Sequence, residues 1–76
     1  MCLAIPAQIM SLEEYSAKVD IMGVESEVNI QLVENPKVGD YILVHAGCAI
    51  QSIDSDYFEY LQEVFQEMME AQYKDE

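Results

Sequence analysis

The chain has 76 residues, 51% of them hydrophobic, with 15 acidic and 3 basic side chains and a formal net charge of -12. That length gives room for one small core, and the hydrophobic share argues against wholesale disorder. The charge repels phosphate backbones and anionic membranes, so nucleic acid and membrane surfaces are not expected partners. Its remaining readings are solubility or a partner with a basic docking surface. No apolar run approaches the roughly 18 residues of a membrane span. No basic segment leads an apolar stretch in the manner of a secretory signal. Two cysteines, Cys2 and Cys48, are too few for a disulfide scaffold. The expectation is a reduced, cytoplasmic protein.

The pattern divides a single domain, 1–76, into a strand-rich body over 1–53, a helix over 54–73 and a short tail, 74–76. Leu3, Ile5, Ala7 and Ile9 alternate with other residues, the period of a strand. Pro6 cannot donate to a ladder, so this strand is expected to be an edge or to bulge there. Ser11 to Glu14 reads as a turn, and Tyr15, Ala17, Val19 and Ile21 alternate again. Met22-Gly23 supplies the next turn or bulge. Val24, Ser26, Val28, Ile30 and Leu32 then face one way, with Glu25, Glu27, Asn29 and Gln31 on the other. The stretch from Glu34 to Asp40 carries Asn-Pro and Gly-Asp, both turn signals. Tyr41 to His45 is a continuous apolar strand, expected to be central. Gly47 breaks it, and Cys48 to Ile53 forms a short last strand.

From Asp54 the period changes to steps of three and four: Phe58, Leu61, Phe65, Met68 and Gln72, flanked by Tyr57 and Val64. Asp54, Ser55 and Asp56 are N-cap candidates, and Asp56 with Glu59 matches a capping-box variant. The helix is expected to pack on the open side of a small, partly open β-barrel, or else to fill a groove on a partner. About five strands followed by one helix make the fold mainly β.

Three residues could carry chemistry. Methionine aminopeptidases generally remove Met1 before a small residue, which would leave Cys2 at the terminus. An α-ammonium beside the thiol favours the thiolate, which is both nucleophile and metal ligand. The bland alternative is an incidental small apolar residue. His45 is the only histidine. It closes an apolar strand, where a structural role is the simpler reading. Beside a thiolate it could donate a hydrogen bond or relay a proton. Cys48 lies in an apolar segment and is expected to be buried and structural. One His and two Cys cannot close a tetrahedral zinc site without carboxylates or a second chain. No Gly-rich phosphate loop, Ser-His-Asp set or CxxC pair is present.

Two segments carry a family resemblance. Met1-Cys2-Leu3-Ala4-Ile5-Pro6-Ala7 resembles the MCLAIP(G/A) opening of the HypC/HupF family. Gly39-Asp40-Tyr41-Ile42-Leu43-Val44-His45-Ala46-Gly47-Cys48-Ala49-Ile50 is similar to that family's GDYVLVHxGFAI stretch. Length, order and acidity agree, so the resemblance spans essentially the whole chain. Two positions depart from the pattern: Cys48 stands where phenylalanine is typical, and Ala7 where glycine is common.

The resemblance implies an OB-like β-barrel with a C-terminal helix. It implies a non-enzymatic maturation chaperone for [NiFe]-hydrogenase, acting before nickel insertion. The implied partners are a HypD-like scaffold protein and the hydrogenase large-subunit precursor. The implied cargo is iron as a transient Fe(CN)2(CO) unit, its cyanides supplied through HypE and HypF. Carried onto this chain, Cys2 matches the essential cysteine, an iron ligand shared with a partner. His45 matches the motif histidine at the same interface. Two other readings remain: an N-terminal-cysteine nucleophile enzyme with His45 as base, and a generic OB-like binding module. Catalytic turnover by the purified chain would mark the first, and single-strand binding at physiological salt the second.

Overall fold

A computed structural model describes the backbone of residues 4–74 and the side chains of residues 4–68. Five strands and one helix follow in order: β1 Ile5–Leu12, β2 Ser16–Ile21, β3 Val24–Asn29, β4 Tyr41–His45, β5 Cys48–Ile53 and α1 Ser55–Lys74. The strands close into a barrel in the order β1-β2-β3-β5-β4. Every neighbouring pair is antiparallel except β3 and β5, which run parallel. This is the OB-like barrel with a C-terminal helix, but closed rather than partly open. Closure follows from the pairing of β1 with β4.

The interior is lined by alternate residues of each strand. Ala7, Ile9, Ala17, Val19, Val28, Ile42, Val44 and Ala49 form one buried cluster with Ile30 and Val33. Three alanines among branched residues suit a narrow lumen, where small and large side chains must share the taper. The strands are strongly tilted. Ile5 is level with Val44, which pairs with Ala49, while the neighbouring Cys48 is level with Asn29 and then Ser16. That path reaches the far end of β1, beside Leu12–Ala17.

β1 serves two neighbours in turn. Ile5 to Gln8 pairs with β4, and Gln8 to Leu12 pairs with β2, so only Gln8 is shared. The N–H of Ile9 donates to the Asp40 carbonyl at 2.9 Å, and the Ile9 carbonyl accepts from the Gly39 N–H at 2.8 Å, both on the β4 side. Backbone groups alternate along a strand, so Pro6 faces the other way. There β2 has not begun to pair, and the missing donor leaves no gap in the ladder. The strand is thus an edge at Pro6, as its chemistry requires. The bulge lies elsewhere, between Ile9 and Ser11, and turns Met10 out to solvent.

β3 ends at Asn29, short of the Leu32 that alternation suggests. The Asn29 Oδ1 accepts the Gln31 N–H at 2.9 Å, and the Val33 N–H donates to the Ile30 carbonyl at 3.2 Å. An Asx-type turn therefore takes the place of the ladder. Val33 enters the core and Leu32 is left 67% exposed. The first residue of that row, Val24, is also exposed. β1 extends through Ser11 and Leu12, where a turn was expected, because the bulge restores its register with β2.

A second, smaller packed layer lies outside the barrel. Pro6 and Leu43 are buried yet stand apart from the interior cluster. They pair directly, on the opposite face of β1 and β4 from Ala7 and Ile42. α1 packs on these two strands, and Phe58 stacks on Tyr41 with ring centroids 4.3 Å apart. Asp54 caps the helix: its Oδ1 accepts the Tyr57 N–H at 2.8 Å. Asp56 lies within the first turn and serves the helix dipole instead, so the Asp56–Glu59 capping pair is not formed. β5 runs to Ile53, which leaves Asp54 as the first residue able to cap. Phe58, Leu61, Val64 and Phe65 are half-buried, whereas Tyr57 and Met68 are exposed. The helix thus packs with part of its stripe only; the side chain of Gln72 lies outside the described residues.

Candidate functional site

His45 ends β4 and Cys48 begins β5, with Ala46-Gly47 as the whole connection. Both connecting residues have positive φ, 54° and 80°, the signature of a type I′ hairpin turn. Such a turn makes its flanking residues a direct cross-strand pair, and His45 and Cys48 are in register. The next rung, Val44 with Ala49, points into the barrel with exposures of 5% and 0%. Successive side chains alternate, so His45 and Cys48 point outward together.

Two further residues continue that rung. Cys48 is level with Asn29, and Asn29 with Ser16. All four are half-exposed, so the rung His45–Cys48–Asn29–Ser16 is a polar band across β4, β5, β3 and β2. It is held in place by its neighbours. The Asn29 N–H donates to the Gly47 carbonyl at 2.9 Å, which ties the turn to β3. The Asn29 Nδ2 donates to Gln31 Oε1 at 2.8 Å, and the Ser16 hydroxyl donates to Glu27 Oε2 at 3.0 Å.

The beginning of β1 borders this band. Ile5 is in register with Val44, which sets residue 4 beside His45. Cys2 lies outside the described residues. The fold thus brings His45 and Cys48 together, with Ala4 beside them.

Cys48 corrects the sequence reading. It is a free, half-exposed thiol rather than a buried structural one. Its apolar neighbours suggested burial, but Val44–Ala49 takes the inward rung and leaves 45 and 48 outside. The two-residue turn was the available signal for this pairing. The proximity of Asn29 had no such signal, since it depends on the parallel contact between β3 and β5.

Chemically the band offers an imidazole and a thiol side by side on a rigid hairpin. Both are donors to borderline and soft metals, and an imidazole can also relay a proton. Among the described residues, no three His, Cys, Asp or Glu side chains converge on a point that could hold a metal. No helix among them is long and apolar enough to cross a membrane.

The sequence pattern of the HupF/HypC family matches residues 1–65. A hydrogenase maturation factor HypC from Cupriavidus necator is 38% identical over 73 residues, covering 95% of this chain and 81% of the relative. One from Rhizobium leguminosarum bv. viciae is 46% identical over 57 residues, with coverages of 74% and 76%. One from Escherichia coli K12 is 37% identical over 75 residues, with coverages of 86% and 83%. The matched span takes in the opening motif, the whole barrel and the hairpin that carries His45 and Cys48. The chain belongs to the HupF/HypC family.

Proposed function

We propose that this chain is a [NiFe]-hydrogenase maturation chaperone that carries an iron unit and performs no turnover of its own. The observation that carries the reading is the register of β1 with β4, which pairs Ile5 and Pro6 of the family's opening motif with Val44 and Leu43, next to the outward His45. Three relatives named as maturation factors, each matching most of this chain, support it.

In this reading the cargo is Fe(CN)2(CO), and Cys2 is its thiolate ligand. Low-spin iron bearing cyanide and carbonyl accepts thiolate ligation readily. His45 stands at the rim of the barrel, where it can donate to the cargo or to a partner's ligand. A carrier has to release what it holds, and ligands drawn from a chain terminus and from a partner exchange more easily than a closed cage. A HypD-like scaffold would complete the site during loading, and the large-subunit precursor would receive the unit, all in the cytoplasm. The charge of -12 supports partners with basic docking surfaces.

The test is Cys2→Ala in a hydrogenase-producing cell lacking its own copy of the chaperone. The variant is expected to keep the wild-type unfolding midpoint while hydrogenase activity falls to the level of the deletion. Normal hydrogenase activity with a folded Cys2→Ala protein would sink the proposal.

A further inference from the structure

We propose that the outer edge of β3, at Glu25 and Glu27, is a docking strip for an extended, basic segment of another protein, which adds to it as a further strand. The proposal goes beyond the chaperone reading and does not rest on it, since no cargo ligand takes part.

The parity of the β2–β3 hairpin exposes this edge. Met22-Gly23 is a two-residue turn with both φ values positive, closed by the Ile21–Val24 pair. Hydrogen-bonded and non-hydrogen-bonded pairs alternate from there, so Val24, Ser26 and Val28 turn their main-chain groups toward β2. Glu25, Glu27 and Asn29 turn theirs the other way. Asn29 confirms the parity, because its N–H donates to the Gly47 carbonyl at 2.9 Å. The cover ends there. β3 meets β5 only where Asn29 is level with Cys48, and β5 runs on in the direction away from Glu27. Among the described residues, no other strand pairs with Glu25 or Glu27. Both side chains are exposed, and Val24 beside them is 63% exposed. A strand edge with unpaired main-chain groups is a template for an added strand.

Charge decides what is added. Glu25 is directly opposite Asp20 on β2, and Glu27 is opposite Lys18. The four side chains share the outer face, and Lys18 is the only basic residue on either strand. Like charges that face each other, as Asp20 and Glu25 do, are destabilising until a cation joins them. A strand laid along this edge brings one of its own side chains level with Glu25 and another level with Glu27. Lys or Arg at those alternate positions meets carboxylates, whereas Asp or Glu meets repulsion. A second copy of this chain fits badly. Its own β3 edge would set glutamates against glutamates, and it carries the same net charge of -12.

A short synthetic peptide in which Lys alternates with Thr, titrated into the reduced full-length protein, tests this. Amide hydrogen exchange read by NMR is the measurement. The Glu25 and Glu27 amides are expected to exchange about ten-fold or more slowly with peptide bound, and the Ser26 amide, already turned to β2, should change much less. The same peptide methylated on its lysine main-chain nitrogens keeps its charge but cannot join the ladder, so it should give no protection. Glu25→Lys combined with Glu27→Lys should weaken the lysine peptide by about ten-fold or more, and let a glutamate–threonine peptide protect the amides at 25 and 27 instead. Both substitutions are at exposed positions, so circular dichroism should show an unchanged fold. No slowing at about a millimolar lysine peptide overturns the proposal. Equal slowing by the methylated peptide, or unchanged binding by the folded double variant, does the same. So does slow exchange of Glu25 and Glu27 without peptide in a chain that sediments as a dimer, which would put a second copy on this edge.

Discussion

Two hairpins in this barrel are built to one local recipe and put to different ends. Met22-Gly23 joins β2 to β3 with φ values of 48° and 91°, and Ala46-Gly47 joins β4 to β5 with 54° and 80°. Each puts a non-glycine residue in the left-handed region, followed by glycine. The first is flanked by the Ile21–Val24 pair. The second is flanked by the outward His45–Cys48 pair, and its glycine carbonyl is bonded to a third strand. Turn chemistry alone therefore does not tell the two loops apart; what the flanking rung carries, and what the turn is bonded to, does.

The comparison can be broken most sharply by lengthening each turn. One glycine inserted between Ala46 and Gly47 uncouples His45 from Cys48 and removes the bond from the Asn29 N–H. A loss of about 2 kcal/mol is expected, from that bond and from the turn geometry, together with loss of hydrogenase maturation. The same insertion between Met22 and Gly23 should cost about 1 kcal/mol and leave maturation intact. Urea unfolding and hydrogenase activity in complemented cells read the two effects separately. Equal maturation from both insertions would remove the distinction.

Smaller changes sharpen the same contrast. Gly23→Ala and Gly47→Ala each force a Cβ into the left-handed region, but neither Cβ would meet an atom within 4 Å. The cost is then backbone strain alone, about 1 kcal/mol at either site. The two unfolding midpoints should shift together; a much larger shift at Gly47 would show that its tie to β3 also breaks. Met22→Asn and Ala46→Asn run the other way, since asparagine tolerates this region better. Each should stabilise the chain by about 0.5 kcal/mol, the smallest effect here, seen as a raised thermal midpoint.

Much of the architecture was legible because local chemistry and tertiary structure agree. β4 and β5 have the limits read from sequence, since Gly47 and the turn before Tyr41 bound them on chemical grounds. Pro6 announced an edge, and β1 is one there, although the strand lies inside a closed barrel. β3 was read three residues too long. Alternation persisted through Ile30 and Leu32 while the Asn29 side chain was already turning the backbone. The site was legible in part. His45 was read as a strand-end residue and ends β4, while Cys2 lies outside the described residues. Cys48 was misread because neighbouring hydrophobicity was used where the parity of the rung decides. The placement of Asn29 and Ser16 beside it could not be read at all, because strand order in a barrel is set by contacts distant in sequence.

The divided allegiance of β1 also sets the order in which the molecule takes shape. Three of the strand pairings join segments adjacent in the chain, whereas the seam between β1 and β4 joins Ile5 to Val44. Loop closure over that separation is entropically the more costly step, so the hairpins form early and the seam zips late. During synthesis β1 emerges long before β4, the strand that completes its pairing. Ala4 gains His45 as a neighbour only when the barrel shuts, so the outward hairpin between β4 and β5 acquires its β1 flank as the last step of folding.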